Sequence, residues 1–353
     1  MDKAAPLRLR RNVHLAPFTT IGLGGPAAYF ADCANEQELV AALAAAANRG
    51  LPVHILGGGS NTIFTDTGYP GLVIRLALRG VSWQTQSKST VLVTARAGEM
   101  WDDLVAAAVT QGLAGFECMS GIPGLVGATP IQNVGAYGQD VSQSIVSVAA
   151  MNRVSVQKQE FTNADCAFSY RSSRFKEEDR GTYIITDVTY QLQTNGQPAV
   201  IYPQIINELG GQQALARLGR GPAALQAVRQ AVLTVRRRKS MVLDGHDPNT
   251  RSCGSFFVNP ILDLAAAAPL QQRGAPAYPA GNKVKIPAAW LIEHAGYSKG
   301  YRRGGVGISA NHPLALVNLG GTAAELLALA EEIQQRVLVK YGIMLEREPN
   351  LVS

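Results

Sequence analysis

The sequence predicts an α+β protein of two domains. Three observations carry this expectation. The chain has 353 residues, more than one ordinary domain of about 100–200 residues. Capped, alanine-rich helical segments are interspersed with short β-branched runs along it. Its character changes near Asp244, where a loop-rich stretch to Asn259 follows a long helical segment. Hydrophobic residues make up 46% of the chain and charged residues 16%. That composition fills ordinary cores and argues against wholesale disorder.

The elements follow in order. Asn35 is a good N-cap, with Glu38 three residues on as a capping box requires. Leu39 to Asn48 is helical in character and Gly50 stops it. Val53 to Leu56 reads as a buried strand ending in a glycine run, and Leu72-Val73-Ile74 as another apolar run. Val91 to Ala95 is a strand by β-branched content, and Met100 to Thr110 a helix with Gly112 after it. Strands return at Val146–Met151 and Tyr183–Leu192. Pro222 opens a helix that runs to Lys239, since proline suits a first helical position. Thr322 and Glu325 form a second capping box for a helix ending near Gly342. Ile343-Met344-Leu345 gives a short strand signal. Neither an internal repeat nor a low-complexity segment is evident beyond alanine richness.

The net charge is +6. A nucleic-acid binder would concentrate such charge in a stripe. Here the one dense run is Arg236-Arg237-Arg238-Lys239. An enzyme with an anionic small-molecule substrate fits better, because a few cations focus a field into a cleft. Cys33, Cys118, Cys166 and Cys253 lie far apart with no CxxC pair, so no metal site is expected and buried free thiols are. Met1-Asp2-Lys3 begins no apolar signal core, and no apolar run is long enough to span a bilayer. The expectation is a cytoplasmic enzyme with no membrane and no nucleic-acid partner.

Two glycine clusters are candidates for chemistry. The first, Gly57, Gly58, Gly59, Ser60 and Asn61, follows a strand. Glycines there let backbone N–H groups approach a phosphate. It matches neither the GxGxxG fingerprint nor a P-loop, and alone it reads more simply as a tight turn. The second runs from Gly121 to Gly138, too long for a casual turn. Its small residues let backbone lie flat against a large ligand, and Gln132 and Asn133 supply amide donors and acceptors.

Together, Ile55 to Asn61 and Gly121 to Gly138 resemble the FAD-binding domain of the vanillyl-alcohol-oxidase type. Within that group the chain resembles the UDP-N-acetylenolpyruvoylglucosamine reductase family. Later motifs agree in order: Ser169 to Lys176, Cys253 to Pro260, Ala288 to Ile292 with Lys299-Gly300, and Leu345 to Pro349. The resemblance covers the chain from near Asn12 to its end. It implies an FAD-binding domain over residues 1–240, made of two α/β subdomains at roughly 1–80 and 81–240. A smaller α+β substrate-binding domain would follow at 241–353, its tail returning to the active site.

The resemblance also implies the reaction. NADPH would reduce a non-covalently held FAD, which would then reduce UDP-N-acetylglucosamine enolpyruvate to UDP-N-acetylmuramate for peptidoglycan synthesis. The two substrates would compete for one cleft, giving ping-pong kinetics, and a monomer is expected. Arg171 would bind the enolpyruvyl carboxylate, where a guanidinium fork suits two oxygens and charge grows in the transition state. Glu348, protonated, would donate a hydrogen bond to the enolate, which requires burial to hold its proton. Ser255 would deliver the proton to C2.

Cofactor contacts are implied for Gly57, Gly58, Gly59, Ser60 and Asn61. In the second cluster they are implied for Gly121, Ile122, Pro123, Gly124, Gly127, Ala128, Gln132, Asn133, Gly135, Ala136 and Tyr137. Substrate contacts are implied for Tyr170, Tyr202, Lys239, Asn259 and Arg302; Tyr202, Lys239 or a neighbouring Arg, and Asn259 would serve the diphosphate and uridine, with Tyr202 on a loop that closes over the nucleotide. Two features depart from the family pattern. The stretch around Asp244-Gly245-His246-Asp247 looks longer, and Arg302 stands where the family has a polar residue. The main rival is an oxidase of the same fold with flavin held covalently through a His or Cys; the expectation that no His stands near either glycine cluster argues against it. A binding protein that has lost catalysis would lack Ser255 or Glu348, and both are present.

Overall fold

The computed structural model describes residues 7–353. Helices and strands mix along the chain as an α+β protein. The chain divides into two compact units. Among the described residues, the first comprises 7–13, 28–58 and 70–238, and the second 14–27, 59–69 and 239–353. A boundary placed near 240 by sequence makes no provision for the two short early segments, which return to the C-terminal unit.

In the first unit, one four-stranded sheet runs in the order Arg10–His14, Pro26–Cys33, Tyr69–Leu76, Val53–Leu56. Val53–Leu56 pairs in parallel with Tyr69–Leu76, so its C-terminal end delivers the first glycine cluster. The helix Glu36–Ala47 buries Leu39, Ala42 and Leu43 in one core with Leu72 and Ile74. Its cap is the Asn35 side chain, which accepts from Glu38 N–H, while Glu38 reaches back to Ala34 N–H. A second, antiparallel sheet runs Lys158–Thr162, Ile145–Asn152, Tyr183–Thr194, Thr90–Arg96, Val81–Thr85. The helix Trp101–Thr110 packs Trp101, Leu104 and Val105 into this sheet's core. The helix Pro222–Arg238 buries Val228, Val232 and Val235 against Ile205 and Ile206.

The second unit has its own core, drawn from the helices Leu264–Gln272, Ala288–His294 and Ala323–Tyr341 and from two three-stranded sheets. The capping box of Thr322 and Glu325 is present at the start of the Ala323–Tyr341 helix. Asp66 adds to it, accepting from Ala323 and Ala324 N–H at 2.8 and 2.9 Å. Four orphan N–H groups at a helix start need such acceptors, and a carboxylate also suits the positive end of the dipole.

The strand signal at Ile343-Met344-Leu345 is not realised. The closing strand is Asn350–Val352, parallel to Thr62–Phe64. Ile343 and Leu345 instead pack onto the second unit's core, so their apolar character marks burial and not a ladder. The second glycine stretch is less irregular than its composition suggests. It holds the short helix Thr129–Gln132 and a two-residue hairpin ladder between Gly135–Ala136 and Gln139–Asp140. All four cysteines are buried free thiols. Among the described residues, no helix is long and apolar enough to cross a membrane, and no cluster of His, Cys, Asp or Glu is placed to hold a metal.

Candidate active site

In the first unit the two glycine clusters meet. A Cβ on Gly58 would lie 2.8 Å from Gly124 Cα, so the two backbones are in contact there. A Cβ on Gly57 would meet only Ala128 Cβ, at 3.8 Å. The second cluster is fastened from behind. Trp101 N–H donates to Gly124 O, Val126 N–H to Glu99 O and Gly127 N–H to Ala97 O. Gly127 is required, since its Cβ would stand 2.5 Å from Ala97 Cβ. Ile122, Pro123, Ala128, Gln132 and Ala136 lie half-buried along this loop. His54, three residues before Gly57, corrects the expectation that no His stands near a glycine cluster. It sits in the Val53–Leu56 strand, and burial with the nearby Arg153 charge pulls its imidazole down to about 4.

A charge network grips Gly121 from both sides. Its N–H donates to Asp102 Oδ1 at 2.6 Å, and its carbonyl accepts from Arg236 Nη2 at 3.2 Å. Arg229 forks onto both Asp102 oxygens at 2.6 and 2.9 Å. Burial would raise the Asp102 carboxyl, but the Arg229 and Gly121 hydrogen bonds and the Arg236 charge outweigh it and hold it below its ordinary 3.8. A depressed carboxyl contributes stability that is complete above the unfolded value and is lost as pH falls through the folded one. Melting temperature should therefore drop on acidification below about pH 4. A scan of Asp102→Asn should start lower near neutrality and show less of that drop; an equal acid drop in both proteins would remove Asp102 as its source.

The far end of the loop is pinned by a buried carboxylate. Glu117 is 0% exposed and accepts from Gly115 N–H, Gln139 Nε2 and Ala199 N–H. Gln139 Oε1 in turn accepts from Cys118 N–H at 2.8 Å. Asn133 takes the left-handed conformation (φ 43°) that lets the chain leave the Thr129–Gln132 helix. Its side chain donates to Ser169 O and accepts from Ser142 N–H. Arg171, also left-handed (φ 57°), donates to Asn133 O at 3.4 Å and Gly135 O at 2.7 Å. Tyr170 stacks near that guanidinium, 5.4 Å from ring centroid to Cζ. The Tyr170-Arg171 segment is thus docked on the second glycine cluster.

Tyr202 is 41% exposed and precedes the short helix Pro203–Glu208. Its ring meets Tyr137 edge-on, with centroids 5.6 Å apart. The Tyr137 hydroxyl is hydrogen-bonded to Arg236, and burial raises the phenol above its ordinary value although that cation opposes the shift.

In the second unit, Gly59 (φ 64°) passes against Phe18 O, and its carbonyl accepts from Thr20 N–H. Half-buried Ser60 follows. Asn61 Nδ2 then donates to Glu348 O at 3.2 Å, and Asn350 N–H donates to Asn61 O at 2.9 Å. Ser255 lies between Gly254 (φ 73°) and buried Phe256. Phe256 N–H donates to Leu314 O, and Phe256 O accepts from Glu348 N–H at 2.9 Å. Val258 N–H reaches Glu346 O. Ser255 and Glu348 therefore sit on adjoining antiparallel segments, both half-buried.

The expected diphosphate and uridine contacts are more scattered. Asn259 Oδ1 accepts from Ala288 N–H at 2.9 Å, holding the start of the Ala288–His294 helix. Half-buried Lys239 precedes Ser240, which is left-handed (φ 53°). The Ser240 hydroxyl donates to Asp247 and accepts from Asn311 Nδ2. The long 244–251 stretch is thus knotted to its neighbours. Arg302 is exposed on a two-residue strand paired with Val306–Ile308.

Sequence reading missed Asp102, Glu117, Arg229 and Arg236. A signal existed for Arg236: in Pro222–Arg238 it follows Leu225, Val228 and Val232 on the apolar face, where a cation is out of place unless buried and paired. Glu117 and Asp102 carry no local signal, because their side-chain partners, Gln139 and Arg229, lie elsewhere in the chain.

Residues 27–155 match the family described as FAD binding domain, and residues 247–352 match UDP-N-acetylenolpyruvoylglucosamine reductase, C-terminal domain. UDP-N-acetylenolpyruvoylglucosamine reductase of Thermobifida fusca is 46% identical over 355 residues, covering 97% of this chain and 98% of that protein. The Streptomyces coelicolor protein of the same name is 44% identical over 361 residues, covering 99% and 91%. The crystal structure of UDP-N-acetylenolpyruvylglucosamine reductase from Thermus caldophilus shares the fold, with a TM-score of 0.69 at 24% identity, covering 98% of this chain and all of that one.

Proposed function

The chain belongs to the UDP-N-acetylenolpyruvoylglucosamine reductase family, and on that premise we propose that Arg171, Ser255 and Glu348 carry its reaction. The protein is an FAD-dependent oxidoreductase of peptidoglycan synthesis. It reduces UDP-N-acetylglucosamine enolpyruvate to UDP-N-acetylmuramate with NADPH as reductant. FAD, when bound, supplies the hydride carrier between NADPH and the enolpyruvyl double bond. The residues fit that cofactor: backbone meets backbone at Gly58 and Gly124, leaving a floor without side chains where a flat ligand can approach. We assign non-covalent FAD contacts to Gly57, Gly58, Gly59 and Ser60 and to the second glycine cluster.

Reduction adds hydride to C3 and a proton to C2. The electron pair left at C2 delocalises into the carboxylate. Arg171 faces that charge with a guanidinium already held on Asn133 O and Gly135 O, so little reorganisation is needed as charge develops. Protonated Glu348 donates a hydrogen bond to the enolate oxygen. The Ser255 O–H bond breaks as the C2–H bond forms, and water restores the hydroxyl proton. Tyr170, Tyr202, Lys239, Asn259 and Arg302 are proposed to hold the sugar nucleotide. Cytoplasmic residence is proposed because NADPH is supplied there.

The observation that carries the assignment is the Glu348 N–H to Phe256 O bond, which keeps Glu348 beside the segment of Ser255. An anaerobic absorbance titration tests the reading. NADPH should bleach the yellow flavin band, and UDP-N-acetylglucosamine enolpyruvate should restore it without oxygen. Bleaching without recovery would remove the substrate, and a colourless protein that takes up no FAD would remove the cofactor.

A further inference from the structure

Asn61 ends the first glycine cluster, where the resemblance gives it a cofactor role. The structure commits its side chain elsewhere. We infer that Asn61 is a positioning residue for Glu348, fixing the backbone on which that acid is carried; this rests on the role proposed for Glu348. The Glu348 residue is held at both of its main-chain polar groups. Its N–H donates to Phe256 O at 2.9 Å, and its carbonyl accepts from Asn61 Nδ2 at 3.2 Å. The main chain of Asn61 adds a third tie, accepting from Asn350 N–H at 2.9 Å. From there Thr62–Phe64 and Asn350–Val352 run as a parallel pair, with Ile63 and Phe64 fully buried. Upstream, Gln334 donates to Leu345 O and accepts from Arg347 Nε. The tail is therefore anchored before and after Glu348, and Asn61 supplies the tie at the acid itself.

The residue type follows from the geometry. The tie needs a short side chain with an N–H donor. Alanine would leave the Glu348 carbonyl without that donor. Aspartate keeps the shape of asparagine but sets an anionic acceptor against the carbonyl oxygen. A small displacement of a reacting group is costly even when the fold is kept. A cofactor contact would be felt in FAD binding and in reduction by NADPH. A positioning role for Glu348 would be felt when the enolpyruvyl substrate is reduced.

The test uses the holoenzyme and its variants Asn61→Ala, Asn61→Asp, Glu348→Gln and the Asn61→Ala/Glu348→Gln double. FAD content, the two half-reactions by stopped-flow, and hydrogen exchange at the Glu348 and Asn350 amides are read together. Asn61→Ala should keep its FAD and its rate of reduction by NADPH within about twofold, and reoxidise about 10- to 100-fold more slowly. Its Glu348 and Asn350 amides should exchange faster. Asn61→Asp should be no better than Asn61→Ala, and gives a second reading should the alanine variant fold poorly. The double variant should be little slower than Glu348→Gln alone, as expected for residues acting through one group. Loss of FAD, or equal slowing of both half-reactions, would return Asn61 to a cofactor role and overturn the inference. Wild-type reoxidation in Asn61→Ala beside a slow Glu348→Gln would overturn it while leaving Glu348 in place. Wild-type reoxidation in Glu348→Gln would remove the premise itself.

Discussion

Ser255→Ala should reduce its flavin with NADPH at the wild-type rate and reoxidise it with the enolpyruvyl substrate about 10²–10⁴-fold more slowly, the range a positioned proton donor supplies. The structure makes this substitution a clean one. The local backbone is set by Gly254 in the left-handed region and by Phe256, whose N–H and C=O are bonded to Leu314 and Glu348. Ser255 is half-buried, and none of these main-chain bonds involves its hydroxyl. Alanine removes the O–H and leaves the scaffold. Ser255→Cys keeps an ionisable proton on a group whose ordinary value is near 8.5, and should recover part of the lost rate. Stopped-flow spectra of the two half-reactions separate the outcomes. Equal loss in both halves would point to damaged flavin binding and sink the proton-donor role.

Legibility in the sequence follows the range of the interaction. The Thr322–Glu325 capping box could be read because both partners lie within one turn. The acceptor Asp66, which serves the same helix start, could not, because it lies far away in the chain. Val53–Leu56 could be read as a strand from three apolar residues, Val53, Ile55 and Leu56, ended by glycine. Ile343 to Leu345 carried a similar signal and form no strand, since short apolar runs mark burial before they mark a ladder. The closing strand Asn350–Val352 takes its place from Thr62–Phe64, a long-range pairing without a local pattern. The proposed site residues divide the same way. Arg171, Ser255 and Glu348 stand in motifs that can be recognised, whereas the groups that hold them, such as the Asn133 and Gly135 carbonyls or the Asn61 amide, emerge only on folding.

Gly58→Ala should cost the protein most of its FAD, and Gly57→Ala provides the comparison that says why. A methyl group on Gly58 would come within 2.8 Å of Gly124 Cα and 3.2 Å of its carbonyl carbon. These are backbone atoms and cannot rotate away. Gly124 is itself tied by its carbonyl to Trp101 N–H and takes φ 123°, a conformation that favours glycine. One loop must therefore shift. Forced overpacking costs about 1–3 kcal/mol, which corresponds to FAD held about 10- to 100-fold more weakly if the strain is relieved by parting the loops. At Gly57 the added methyl would meet only Ala128 Cβ at 3.8 Å, an ordinary contact. Protein packing alone therefore predicts a folded Gly57→Ala with an unchanged melting temperature. Titrating FAD into both apoproteins by flavin fluorescence resolves the two causes. Weak binding in Gly58→Ala with normal binding in Gly57→Ala would assign the first cluster to loop–loop contact. Weak binding in both, with Gly57→Ala as stable as wild type, would place the cofactor itself against Gly57. Normal binding in Gly58→Ala would mean that the contact of the two loops does not shape the flavin site.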